Sequence, residues 1–433
     1  MKHYRFLIPI LLIILMLYST YSLVGTNIEN KEKYNQYVKS AQEYAKQGIV
    51  VDSLECYKQA ILMIDSASLR LEVADMLEKN EHMDDAISWM ETSLETYPTE
   101  PKVYEKLLEE YISTEQFDES YKLINEAEKR KIVTDKIEKL YSGIKYKYRL
   151  SNERYEEAQN LGDGYFAVGN NGKKGLLKGV NRILFEQFEY IGGYHDELIS
   201  ISFNGSKYYV DSDGNKRKVP PESIKCDYLG DICDGLISIK ENDAYSFYNK
   251  EFKKKFGSYE YATNFNEGIA AVKENEKWYL INKEGKKVNN EEYDEIKFNE
   301  GNIAFSNGRA FVKKADVYYM VDKNGKQIGN TTYEDAKVFE EKGALAAVKI
   351  GGSWTFADSN GKANTEIHFD DAQSFSLGMA AVQKDGLWGY IDQKGNMVIE
   401  NIFKDVKPFS QEGNTLVSDN EGWMVLSLYK FNN

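Results

Sequence analysis

The chain has 433 residues, of which 42% are hydrophobic, and its formal net charge is −14. This length allows two or three domains, and the hydrophobic content excludes a disordered chain. The acidic balance argues against nucleic acid as a partner, because phosphate binding needs clustered lysine and arginine. Three cysteines, Cys56, Cys226 and Cys233, form no disulfide framework. Two separate thiols at Cys226 and Cys233 are favoured over a disulfide between them.

The N-terminus carries a membrane signal. Lys2 and Arg5 precede an apolar run from Phe6 to Val24, and this order predicts a cytoplasmic N-terminus with the remainder exported. We predict that residues 1–26 form an uncleaved signal anchor that crosses the membrane once, through residues 6–24. The alternatives are a cleaved signal peptide, which would leave a secreted protein, and a core helix.

Residues 30–149 show a helical pattern that repeats. Small and large residues alternate at a fixed spacing, and the pattern returns 33 and then 34 positions later. The three sets begin with Ala41, Tyr44 and Gly48, with Ala74, Leu77 and Glu81, and with Leu108, Tyr111 and Glu115. This resembles the tetratricopeptide repeat, which implies a concave groove for peptides or proteins; a rigid spacer is the alternative. Residues 131–149 are expected to form a capping helix.

Residues 150–433 contain a second repeat, in eight copies 33 to 40 residues apart. The copies align on one frame position, occupied in chain order by Lys174, Lys207, Tyr245, Trp278, Tyr318, Trp354, Trp388 and Trp423. A turn follows the frame position in five copies and ends in Gly214, Gly285, Gly325, Gly361 or Gly395. The copies resemble the WG repeat of bacterial proteins, and the copy at 378–406 resembles it best. Glycine follows the frame position only at Gly175 and Gly389.

Each copy predicts an antiparallel meander of three or four strands. In the best copy these are Ala380–Val382, Trp388–Ile391, a strand from Met397, and a fourth from Phe403 to Val406. Because one meander cannot bury both of its faces, the copies must pack on one another. We predict a closed β-propeller of eight blades, with an open β-solenoid as the alternative. The stretch from Leu150 to Tyr155 resembles the fourth strand of other copies, so it is expected to complete the last blade.

The repeated residues raise the question of a site. Trp278, Trp354, Trp388 and Trp423, with Gly389, are interpreted as packing residues, the alternative being aromatic platforms for sugars or peptides. The Asp-x-x-Gly segments are interpreted as side-chain-stabilised turns, because they lack the length and the glutamate of a calcium loop. No catalytic motif is present. The neighbouring Asp370 and Asp371 could form a glycosidase pair, but solvated carboxylates are favoured.

These observations predict an α + β multidomain protein with no catalytic residue, metal or cofactor. We expect a membrane-anchored, extracytoplasmic scaffold that binds protein or peptide partners through its repeats. The alternatives are an envelope-carbohydrate binder, a cryptic hydrolase and a purely structural spacer. The composition, rich in Lys, Asn, Ile and Tyr, suggests a bacterial source.

Overall fold

The computed structural model describes residues 29–431. These residues form two compact units, a helical unit that ends at Lys147 and a β unit that begins at Tyr148. None of the helices in the described part of the chain is long and apolar enough to cross a membrane. The predicted membrane span at residues 6–24 lies outside the described residues.

The helical unit contains seven helices within the described residues. They are α1 (29–46), α2 (Val50–Met63), α3 (Ala67–Lys79), α4 (Met83–Thr96), α5 (Pro101–Ser113), α6 (Phe117–Arg130) and α7 (Asp135–Ile144). The starts of α2, α4 and α6 are 33 and 34 residues apart, and those of α3, α5 and α7 are 34 apart. The helical array is therefore regular, and its resemblance to the tetratricopeptide repeat stays a prediction.

Small residues allow the helices of this unit to pack closely. Ala41, Ala60 and Ala86 are fully buried around Tyr57, which is 1% exposed. Two helices begin with side-chain caps, since the Ser66 and Thr134 hydroxyls accept hydrogen bonds from the backbone of Leu69 and Ile137.

The β unit consists of eight consecutive sheets, which we call blades 1 to 8. Blade 1 is β2 (Glu157–Gly162), β3 (Tyr165–Asn170), β4 (Lys173–Lys178) and β5 (Asn181–Glu186). Blade 2 is β6 (Phe188–His195), β7 (Leu198–Phe203), β8 (Ser206–Val210) and β9 (Lys216–Lys218). Blade 3 is β10 (Tyr228–Cys233), β11 (Leu236–Glu241), β12 (Ala244–Asn249) and β13 (Lys254–Tyr259). Blade 4 is β14 (Tyr261–Ala262), β15 (Ile269–Glu274) and β16 (Lys277–Asn282).

The remaining blades follow the same order. Blade 5 is β17 (Glu295–Ile296), β18 (Ala310–Lys314) and β19 (Val317–Val321). Blade 6 is β20 (Asp335–Ala336), β21 (Ala346–Ile350), β22 (Ser353–Ala357) and β23 (Ala363–Phe369). Blade 7 is β24 (Asp371–Ala372), β25 (Met379–Lys384), β26 (Leu387–Asp392) and β27 (Met397–Phe403). Blade 8 is β28 (Asp405–Val406), β29 (Asn414–Ser418) and β30 (Trp423–Leu428), followed by a short 3-10 turn at Tyr429–Phe431.

The two ends of the β unit meet in blade 8. Its outer strand is β1 (Tyr148–Leu150), which pairs antiparallel with β30 so that Tyr148 faces Leu428. Tyr155 continues this pairing, because it exchanges two backbone hydrogen bonds with Trp423. Its ring is buried among Phe166 and Val168 of blade 1 and Leu416 and Val425 of blade 8. The predicted closed propeller is thus confirmed, and the open solenoid is excluded.

Two sequence-based boundaries differ from the structure. The helix expected over 131–149 is α7 alone, because residues 148–150 pair with β30 and are held as a strand by a distant part of the chain. The fourth strand expected through Phe403 to Val406 breaks at Lys404. Phe403 ends blade 7 and Asp405 begins the inner strand of blade 8, so each sequence repeat spans two blades.

Ring closure gives a first testable outcome. Replacing Tyr155 by alanine removes a side chain that is 3% exposed and joins the last blade to the first. We expect the free energy of unfolding of the β unit to fall by about 3–5 kcal/mol, as for other buried aromatics. Urea denaturation followed by tryptophan fluorescence measures this. The control Val180→Ala, at a site 46% exposed, should change it by less than about 0.5 kcal/mol. Equal effects of the two variants would show that the ends do not hold the ring.

Candidate interaction site

The frame residues of the repeat occupy equivalent places in the third strand of their blades. The six aromatic frame residues each pair with an aromatic residue of the neighbouring outer strand, as Trp278 does with Tyr293, Trp388 with Phe403 and Trp423 with Tyr155. Trp354 and Trp388 are 6% and 5% exposed, whereas Trp278 and Trp423 are half-buried. They lie beside the two-residue turn that joins the second and third strands, such as Asp385–Gly386, where both residues have positive φ. We call the side of the ring that carries these turns the hairpin face.

Gly389 is required by a close approach of two strands. A Cβ at this position would lie 2.6 Å from the carbonyl carbon of Glu400 and 2.7 Å from the nitrogen of Asn401. The outer strand β27 shifts register at this point. Glycine here thus lets the outer strand bulge against its neighbour.

The Asp-x-x-Gly segments are turns closed by their first side chain. The Asp392 carboxylate accepts hydrogen bonds from the backbone nitrogens of Lys394 and Asn396, both at 2.9 Å. Asp211, Asn282, Asp322 and Asp358 do the same in their own blades. The terminal glycines have φ between +71° and +84°: Gly285, Gly325, Gly361 and Gly395. Within residues 29–431 no group of three or more His, Cys, Asp or Glu side chains could hold a metal ion.

In most blades, an acidic residue near the start of the inner strand caps the hairpin turn between the second and third strands. Asp370 accepts a hydrogen bond from the backbone nitrogen of Asp385 at 2.8 Å. Equivalent caps in other blades come from Glu156, Glu189, Asp227, Glu260, Asp294 and Glu334. Asp371 instead forms an ion pair with Lys337 at 2.8 Å. The two carboxylates considered as a glycosidase pair therefore serve separate structural partners.

Lysines of the inner strands connect neighbouring blades on the hairpin face. Lys297 of blade 5 pairs with Asp335 of blade 6 at 3.0 Å, and Lys337 of blade 6 pairs with Asp371 of blade 7. The same ammonium groups lie over frame rings: Lys297 is 4.6 Å from the centre of Tyr318, and Lys337 is 4.7 Å from that of Trp354. Such contacts are attractive when partly desolvated. These contacts were not predicted, although the acid-apolar-lysine pattern at Glu295–Lys297, Asp335–Lys337 and Asp405–Lys407 was a usable signal.

Aromatic side chains form a continuous row in blades 2 to 5. Successive ring centres lie 5.2–6.0 Å apart, and the row runs through Tyr190, Tyr228, Tyr245, Tyr261 and Trp278. Phe298 of blade 5 stacks on Tyr261 at 5.7 Å and is 41% exposed, while the others are half-buried. We call these six residues the aromatic row. Inner-strand lysines are replaced here by Gly192, Gly230 and Thr263.

The inner strands surround a central channel of about 650 Å³, lined by Leu161, His195, Val338 and Val406, among others. A loop of blade 5 crosses it. Seventeen positions separate Glu295 from Val312, whereas eleven separate Asp371 from Val382 in blade 7, so blade 5 carries six extra residues.

The inserted loop is held by contacts with distant blades. Glu300 pairs with Lys407 of blade 8, and its backbone oxygen accepts a hydrogen bond from Gln159 of blade 1. On the other side, Asn264 of blade 4 binds the Gly301 carbonyl at 3.0 Å. The inserted loop is therefore an acidic plug that these contacts hold inside the ring. Sequence periodicity did not reveal this plug.

A buried carboxylate joins the inner strands of blades 2, 3 and 4. Asp231 accepts hydrogen bonds from the Ser200 hydroxyl at 2.8 Å, the Gly193 nitrogen at 3.1 Å and the Asn264 amide at 3.3 Å. Burial raises the pKa of Asp231, although His195 and these donors oppose the rise. Ser200 is fully buried, and the cluster links the three blades by hydrogen bonds.

Glu340 lines the channel, and its pKa is shifted toward neutral pH. Burial raises the pKa of Glu340 to about 7, against a hydrogen bond from Asn299 that lowers it, and the nearby Glu300 and Glu341 raise it further. The channel therefore holds a carboxyl group that changes charge near neutral pH.

A cluster of charged side chains in the helical unit surrounds Lys106. Lys106 on α5 pairs with Asp75 at 2.8 Å and with Glu78, both on α3, and lies 3.2 Å from Glu110, which is 1% exposed. Burial raises the pKa of Glu110, and Lys106 opposes this. The cysteines add no cross-link, because Cys56, Cys226 and Cys233 are all free thiols.

Comparison with known proteins supports the repeat assignment. The family described as "WG containing repeat" matches residues 245–278, 320–354, 354–388 and 388–423. Three of the four matches begin at a frame position, Tyr245, Trp354 or Trp388, and all four end at one, Trp278, Trp354, Trp388 or Trp423. The chain thus contains segments similar to WG repeats at residues 245–278 and 320–423. No curated protein matches it.

Solved structures resemble this chain weakly. Hsv2p of Kluyveromyces lactis is 10% identical with a TM-score of 0.37, and the match covers 64% of this chain and 98% of that one. The Pan2 WD40 domain of Neurospora crassa is 10% identical with a TM-score of 0.34, covering 64% and 89%. AztD of Citrobacter koseri is 10% identical with a TM-score of 0.37, covering 59% and 88%. At these scores the likenesses say nothing about function.

The close approach at Gly389 predicts opposite effects for two glycine substitutions. Gly389→Ala should lower the free energy of unfolding by about 1–3 kcal/mol, because the new methyl group overlaps β27. Gly143→Ala on α7, where a Cβ meets nothing within 4 Å, should leave it unchanged or raise it by up to about 1 kcal/mol. Thermal and urea unfolding of both variants measures the contrast. A harmless Gly389→Ala would contradict the packing of β26 against β27.

The Glu340 carboxyl predicts a pH-dependent stability. Its pKa rises from 4.5 to about 7 on folding, so the folded state holds the proton more tightly and loses stability as pH climbs through that interval. Glu340→Gln should therefore be about 1–3 kcal/mol more stable than the natural chain at pH 8 and equal to it near pH 4.5. Melting temperatures across pH 4.5–8 test this, with the exposed Glu421→Gln as the control for loss of one charge. A difference that does not grow with pH would contradict it.

Proposed function

We propose that this chain is a non-catalytic scaffold that binds protein or peptide partners through its repeat surfaces. The aromatic row is the observation that carries the proposal. In blades 5, 6 and 8 the chain covers its own frame rings with lysines, such as Lys407 over Trp423 at 5.2 Å. In blades 2 to 4 the inner strands supply no such lysine, and aromatic rings stay half-buried on the hairpin face. Partly exposed aromatic clusters are typical of protein interfaces.

The helical unit extends this proposal. Its regular helix pairs and its resemblance to tetratricopeptide repeats support a second surface for a peptide, with a spacer role as the alternative. We also propose that residues 6–24 tether the chain to a membrane with both units on the outer side, or that cleavage near this segment releases a secreted protein. The positive residues before the apolar run support this orientation.

A pull-down with the full-length chain tests partner binding. Phe298→Ser removes the most exposed ring of the aromatic row, and Val180→Ser changes a residue of similar exposure in blade 1. Proteins recovered from solubilised membranes by the natural chain and by Val180→Ser should be recovered at least about tenfold less by Phe298→Ser. Recovery of no partner, or equal recovery by all three chains, would count against the proposal.

A second candidate function rests on the same row. Stacked aromatic side chains also suit sugar rings, so an envelope carbohydrate is the alternative ligand. Pelleting of the protein with purified cell wall, lost in Phe298→Ser and kept in Val180→Ser, would favour this alternative over a protein partner.

A further inference from the structure

The frame ring fills the space between the inner strands of two neighbouring blades. In blade 3, Tyr245 lies 6.0 Å from Tyr228 of its own inner strand and 5.2 Å from Tyr261 of blade 4. In blade 4, Trp278 lies 5.6 Å from Tyr261 and 6.1 Å from Phe298 of blade 5. An aromatic ring thus acts as a wedge in the hairpin face, and blades 3 to 8 all carry one at this position.

Blade 2 lacks its wedge. Lys207 stands at the frame position, beside Tyr190 of blade 2 and Tyr228 of blade 3. A cavity of about 280 Å³ opens there, with Ile201 and Leu229 among its walls. The two tyrosines contact each other directly at 5.4 Å, and their hydroxyl oxygens are 3.2 Å apart. The cavity is therefore bordered by the rings of two inner strands, as the frame ring is in blades 3 and 4, but it holds no ring of its own.

The walls of this cavity favour an aromatic group over an anion. Ile201 and Leu229 are buried and apolar. The two carboxylates at the rim are engaged, since Glu189 accepts from Ser202 and from Gly205, and Asp227 accepts from Asn242. Glu189 and Asp227 would both repel a negatively charged ligand. Among residues 29–431, Lys207 forms no ion pair within 4.0 Å, so its ammonium is available to the face of a ring, as Lys337 is to Trp354.

The geometry points to the Lys207 cavity as the docking site for an aromatic side chain, Trp, Tyr or Phe, of a partner peptide. The inserted ring takes the place of the missing wedge, against Tyr190 and Tyr228 and within reach of the Lys207 ammonium. This rests on the proposed function and specifies its partner: a peptide with an aromatic anchor that reaches the end of the aromatic row. Deep aromatic anchors dominate many peptide interfaces.

The chain provides its own test variant, because the repeat shows which residue closes the site. Lys207→Trp restores the repeat's wedge and should fill the cavity. If the tryptophan variant folds poorly, Lys207→Tyr replaces it, because blades 3 and 5 carry tyrosine at this position. Lys283→Trp, at an exposed turn, controls for an added tryptophan. Circular dichroism and melting of each full chain establish folding.

Ligand-observed NMR with N-acetyltryptophanamide as the probe measures the site directly. The natural chain and Lys283→Trp should bind this probe at least about tenfold more tightly than N-acetylleucinamide. The folded Lys207 variants should lose the tryptophan preference. Equal binding of the probe by the natural chain and by a folded Lys207 variant would overturn the inference.

An array of ten-residue peptides separates this inference from the proposed function. Peptides that bind the natural chain through one aromatic residue should bind its alanine twin, or the Lys207→Trp chain, about tenfold or more weakly. Peptides that bind the natural and Lys207→Trp chains equally would overturn the inference and leave the proposed function standing. If the probe binds at Lys207 and no peptide binds at all, both the peptide assignment and the proposed function fail.

Discussion

The pairing of the chain's ends in blade 8 is the constraint on which the β unit depends. Each blade is a small sheet whose two faces need cover, and in a ring each neighbour supplies one cover. Without β1 against β30 and Tyr155 between blades 8 and 1, two blades would expose a face and two strand edges would lack hydrogen-bond partners. The central channel and the continuous hairpin face exist because the ring is closed.

Within that ring, the regular features of the repeat serve structure and the departures from it create surface. Turn carboxylates, capping acids and frame rings recur because every blade needs the same turns and the same packing. Where the repeat changes, the local chemistry changes as well. Lys207 leaves a cavity, the glycines of blades 2 and 3 replace lysines on the aromatic row, and the extra residues of blade 5 place Glu300 in the channel.

Much of the fold could be read from the residues, because short-range patterns control it. The Asp392 turn, the Asp385–Gly386 hairpin and the helix period each depend on neighbours a few positions away. The break at Lys404 and the strand at Tyr148 could not be found in this way, since distant pairing decides both. For the same reason the candidate site was only half visible: aromatic residues were noted by position, but not the row they form.

The sequence by itself determined the number of blades, the turn chemistry, the frame position and the helical period, because these repeat and each rests on local hydrogen bonds or side-chain size. Only the tertiary structure decided which residues share a site. The cavity beside Lys207 needs Tyr190 and Tyr228 from neighbouring blades, and the raised pKa of Glu340 needs the loop of blade 5. Burial and contact across the ring are set by closure, which no single copy of the repeat encodes.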